Sequence, residues 1–168
     1  QVTDHHEASG PMSTALVAAP IGTALAALFT YKVKFPSSLF SWHPTLLGFG
    51  WLAITPYAIH VLRQSKTAKE KDEKIKKVQT HSLLNWIAFG ATVGGLWAIY
   101  RNKELNAAAK NQVAQHLVSQ HGKMGALSAA CATLSLGIAV TNMQTTKDMF
   151  IWRSKSHRLF GALAYITS

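Results

Sequence analysis

The chain has 168 residues, a hydrophobic share of 48% and a formal net charge of +10. Charged residues make up 14%, against roughly 25% in soluble domains, and they cluster, leaving long stretches almost bare. That argues against a soluble core and for a bilayer. The basic excess lies between apolar segments, where it sets topology and makes no nucleic-acid footprint.

Residues 1–12 form a polar tail containing Asp4, His5, His6 and Glu7. It has no charged n-region followed by an apolar run, so no intact signal peptide is read there. A first apolar segment covers 13–31, rich in Ala and Leu, with Pro20 and Gly22 inside it. The second covers 44–62, with Pro44 expected at the first turn, where a missing N–H costs little. Residues 63–80 are expected as a charged loop or short polar helix. Within them, 63–77 holds seven basic residues against three acidic ones. The third segment covers 82–100 and the fourth about 122–143. The middle three contain 19 to 22 residues each, close to the roughly 20 that a helix needs to cross a bilayer. Cys131 lies alone in the fourth and is read as a small packing residue. A fifth segment begins at His157. Its stretch to Ser168 amounts to about 18 Å of helix, short of a core of about 30 Å. The fifth helix is therefore expected to be truncated and the natural chain to continue. The expected fold is a single all-α membrane domain over 1–168, a bundle of five transmembrane helices.

Charge orients this bundle. The side holding 63–77 also holds Lys147, Arg153, Lys155 and Arg158, giving it 11 of the 17 basic residues. The positive-inside tendency places that side in the cytoplasm or its organellar equivalent.

The chain contains eight histidines. His43, His81, His121 and His157 each stand at the start of an apolar segment. Consecutive helices alternate in direction, so His43 and His121 belong near one membrane face and His81 and His157 near the other. Two pairs from non-adjacent helices are what two bis-histidine haems require, because a low-spin electron-transfer haem takes an imidazole on each side of its ring. Ionisable residues within membrane segments are costly and default to function. A lone histidine at a helix start is more often an interfacial or capping residue. His116 competes with His121 for the ligand role, His60 stands near the end of the second segment, and His5 and His6 are expected to be solvated. Gly48, Gly50, Gly90, Gly94, Gly95, Gly122, Gly125 and Gly161 suit a flat cofactor or, equally, close helix packing.

The motif LFSWHP at 39–44 resembles the opening of the second helix in the cytochrome b561 family, especially its short animal branch of transmembrane ascorbate-dependent reductases. QHGKMG at 120–125 resembles the fourth-helix motif, HRLFG at 157–161 the fifth-helix motif, and His81 stands where the third-helix ligand belongs. The similarity covers about 35–165. It implies a natural six-helix fold whose helices 2–5 hold two b haems, with His43 and His121 on the non-cytoplasmic-side iron and His81 and His157 on the cytoplasmic-side iron. It implies electron flow from cytoplasmic ascorbate to monodehydroascorbate or ferric iron across the membrane. Lys76 and Lys77 occupy the neighbourhood where the family binds ascorbate, and their charge suits that anion.

A b561-like accessory subunit of a larger respiratory or photosynthetic complex, with or without haem, is the alternative. A transporter is disfavoured, since nothing resembles a broken-helix site at the midplane. Lipid is the expected surrounding, in an endomembrane or organellar membrane, and a homodimer or a place in a larger complex is compatible with the pattern.

Overall fold

The structure is a computed structural model that describes residues 36–145 and 154–168, the side chains of 142–145 excepted. The polar tail, the first apolar segment, Lys147 and Arg153 lie outside the described residues. Every described element is helical: α1 (Leu39–Gly48), a π-helical stretch (Phe49–Ile54), α2 (Thr55–Ser65), α3 (Lys71–Ala109), α4 (Gln120–Thr145) and α5 (Lys155–Thr167).

Serine caps open three of these helices. Ser38 Oγ accepts the Ser41 N–H, Ser119 Oγ accepts the Gly122 N–H, and Ser154 Oγ accepts the His157 N–H, at 3.1–3.2 Å. Each satisfies one of the donors that a helix start leaves orphaned. α1 begins five residues before Pro44, so the proline lies inside the helix and not at its first turn. It removes the bond that would reach the Phe40 carbonyl. Further on, Pro56 has no N–H for the Leu52 carbonyl, and the preceding backbone widens to the π form. There the Thr55 N–H reaches Gly50 O, and Thr55 Oγ donates to the same oxygen at 2.8 Å.

The charged stretch over 63–80, expected as a loop or short polar helix, is helical at both ends, and only 66–70 connect α2 to α3. Lys71, Lys74, Lys76 and Lys77 ride on the first two turns of α3. Asp72 and Glu73 occupy its first turn, where negative charge suits the helix dipole. With 39 residues, α3 is about 58 Å long, well beyond a bilayer core of about 30 Å, so polar helix projects from its apolar middle. It ends where Asn111 takes φ 52°, with the Gln112 N–H on Ala107 O and the Asn111 N–H on Ala108 O. This is the left-handed closure that asparagine tolerates.

Small residues fill the interior. Ser41, Ala58, Ala88, Ala98, Ser128 and Ala164 are buried, while Leu52, Leu83 and Trp97 are more than half exposed. Small side chains inside and large apolar ones outside suit helices dissolved in lipid. Among the described residues, Leu39–Ser65, Lys71–Ala109 and Gln120–Thr141 are long and apolar enough to cross a membrane. α5 has 13 residues. The α1–α2 unit packs on α3 and α5 packs on α4, while contacts between α3 and α4 are sparse. The described residues thus form an all-helical membrane bundle of two packed units.

Candidate functional site

Three of the four histidines that open apolar segments are anchored alike. His43 on α1 directs Nδ1 to Gly95 O on α3 at 3.0 Å. His81 on α3 directs Nδ1 to Ala58 O on α2 at 2.9 Å. His157 on α5 directs Nδ1 to Ser135 O on α4 at 2.9 Å. A carbonyl oxygen only accepts, so Nδ1 carries the proton in each and the neutral ring's lone pair falls on Nε2. A histidine metal ligand is held in this way, one nitrogen tied to the protein and the other presented to the metal.

The fourth histidine completes a pair. The rings of His43 and His121 lie 6.1 Å apart between centroids, at 83° to one another. Two imidazoles sharing one metal through nitrogens at about 2 Å have centroids roughly 6 Å apart, so the spacing fits. His116 is instead stacked on Tyr100, at 4.2 Å and 14°. Lys103 Nζ beside it donates to Gln115 O at 3.3 Å. His60 is engaged by Gln64 on its own helix at 2.9 Å. Of the two candidates at that face, His121 therefore stands against His43.

The two levels are well separated. His81 and Gly95 lie fourteen residues apart on α3, about 21 Å of helix at 1.5 Å per residue. His121 and Ser135 have the same separation on α4. His43 stands level with Gly95 and His157 level with Ser135. A small, partly open cleft of about 80 Å³ lies between the helices that carry His81 and His157, lined by Trp51, Asn85, Phe89, Thr92, Ser135 and His157 among others. Asn85 Nδ2 donates to His81 O at 2.7 Å and lies 3.3 Å from both ring nitrogens, so it brackets that imidazole.

The glycines divide by what surrounds them. A Cβ at Gly50 would meet Ala88 O at 3.1 Å, one at Gly94 would meet Leu46, one at Gly95 Leu47 and His43 O, and one at Gly161 Ser135 Oγ. These four serve close packing. Gly48, Gly90 and Gly125 face open space, and Gly125 stands one turn after His121, on its side of α4.

The model of the eukaryotic cytochrome b561 family matches residues 42–168, most of the chain. The chain belongs to the eukaryotic cytochrome b561 family. Cytochromes b561 carry electrons across membranes by means of haem b, so this is an integral membrane electron-transfer protein of the oxidoreductase type. Neither the curated proteins nor the solved structures yield a match.

Within this cytochrome b561, Lys77 shares the face of His81 one turn away and is paired with Glu73 at 2.6 Å, while Lys76 is exposed. The sequence did not reveal Ala58, Gly95 and Ser135 as anchors, because two of the three act only through backbone carbonyls. The repeated fourteen-residue spacing was the one available signal. Asn85 has such a signal, as a polar side chain one turn into an apolar segment.

Proposed function

We propose that the chain holds two b haems, one between His43 and His121 and one between His81 and His157, and passes electrons between the membrane faces. The supporting observation is the shared Nδ1-to-carbonyl anchoring of His43, His81 and His157, which leaves Nε2 as the coordinating nitrogen of each. A scaffold subunit has no need of that arrangement. Haem supplies a reversible one-electron couple whose potential is set by its axial ligands and surroundings.

The residues do the remaining work. His43, His81 and His157 are oriented by carbonyls of neighbouring helices, so the imidazoles need little reorganisation when electrons move. Leu52, Leu83 and Trp97 face lipid and keep water from the bundle. The donor is ascorbate at the side bearing 63–77. Lys77 attracts the anion beside His81, with Lys76 adding charge nearby. Each ascorbate monoanion gives up one electron and one proton, and the proton stays on that side. The acceptor on the opposite side is monodehydroascorbate or a ferric chelate, reached through the pair His43–His121.

The test is a reduced-minus-oxidised visible spectrum of the purified protein with ascorbate, followed by vesicles with a ferric chelate trapped inside. Bis-histidine haem bands, rapid reduction by ascorbate and reduction of the trapped chelate are expected. A colourless protein would overturn the reading and favour a structural subunit of a larger complex. Haem that ascorbate does not reduce would overturn the donor assignment alone.

A further inference from the structure

We infer that Ser135 is a positioning residue that makes the two haem sites electrochemically unlike, an inference that rests on the two-haem reading above. α3 and α4 repeat one device: fourteen residues after its own histidine, each offers a carbonyl to a histidine of the adjoining helix. Gly95 O serves His43 at 3.0 Å, and Ser135 O serves His157 at 2.9 Å.

The difference is the side chain. Gly95 has none. Ser135 Oγ donates to His157 O at 3.1 Å and lies 3.0 Å from His157 Nδ1. With its proton given to that carbonyl, the hydroxyl meets Nδ1–H as an acceptor. The Nδ1–H is thus shared between two oxygens of one residue. Ser135 is buried at 7% exposure, so little water competes. Gly161 closes over it, its Cβ position lying 3.3 Å from the hydroxyl.

An imidazole whose N–H is more strongly accepted is a more electron-rich ligand through its other nitrogen. Such a ligand favours the oxidised iron and lowers its potential. Ser135 therefore holds the His81–His157 centre below the potential it would have on a carbonyl alone, and His43 has no equivalent among the described residues.

The test is a spectroelectrochemical titration of the purified, haem-loaded protein and its Ser135→Ala, Ser135→Cys and Ser135→Thr variants. The centres are assigned with His121→Ala, which leaves only the His81–His157 haem. Ser135→Ala is expected to move that centre upward by about tenfold in its one-electron equilibrium, ~59 mV, and to leave the other in place. Ser135→Cys, a weaker acceptor of similar size, should move it the same way by less, and Ser135→Thr should restore the original value. Cysteine also carries the test if alanine loosens the site. A shift of both centres together, a shift of neither, or no recovery with threonine would overturn the inference. A wild-type protein without haem would instead overturn the two-haem reading beneath it.

Discussion

Gly125 separates a glycine needed for packing from one that clears room for a cofactor. Its Cβ position has nothing within 4 Å, and it stands one turn after His121. Gly90 on α3 is equally open, but nine residues past His81 it lies half a turn away from that histidine's face. Replacing either glycine by leucine meets no clash in the chain itself and adds up to about 1 kcal/mol of helix propensity. If haem lies against the His121 face of α4, a leucine at 125 intrudes on it. Overfilling a fitted site costs about 1–3 kcal/mol, or roughly 5- to 150-fold in haem affinity. Gly125→Leu should therefore fall from about two haems per chain to about one, with the His43–His121 bands lost and the fold intact. Gly90→Leu should keep both. The assay is haem content by pyridine haemochrome beside circular dichroism of the detergent-solubilised protein. Equal haem loss in the two variants, or full retention in both, would refute the reasoning.

Lys77→Ala should raise the ascorbate KM about fivefold, the effect of losing roughly 1 kcal/mol of attraction between a partly exposed charge and an anion. The effect should shrink as ionic strength rises, and Lys76→Ala should do less. Asn111 sits at φ 52°, so Asn111→Val should lower stability in detergent by about 1–2 kcal/mol, while Asn111→Gly should change little. Thr45 Oγ1 is buried without a hydrogen-bond partner among the described residues. Thr45→Val removes that unmet group and should raise thermal stability by the equivalent of about 1 kcal/mol.

Much of the fold could be read directly from the chain. Apolar runs of bilayer length marked the three long helices, since in lipid a backbone must satisfy its own hydrogen bonds. Their ends were harder, because helix continues where hydropathy stops. The lysine-rich start of α3 looks like a loop by composition, yet its Glu73–Lys77 pairing and early acids favour helix. Hydropathy puts Pro44 at a helix start, whereas the cap is Ser38, a matter of local hydrogen bonding that hydropathy does not report. At the site, alternation of helix direction places His43 and His121 near one face, but leaves His116 beside them as a rival. His116 is stacked on Tyr100 beside a turn in which Leu117 takes φ 56°, a geometry that its sequence does not announce. Gly95, which suits either a flat cofactor or close packing by its sequence position, is a packing contact that also anchors His43.

Pairwise removal of the histidines tests the central claim most directly, with haem content and difference spectra as the readout. His43→Ala and His121→Ala should each lose one haem, and the double variant should lose no more, because both act on the same iron. Combining His43→Ala with His157→Ala should lose both haems. If the first double variant is colourless, or the second retains a haem, the two pairs are not independent haem sites and the account fails.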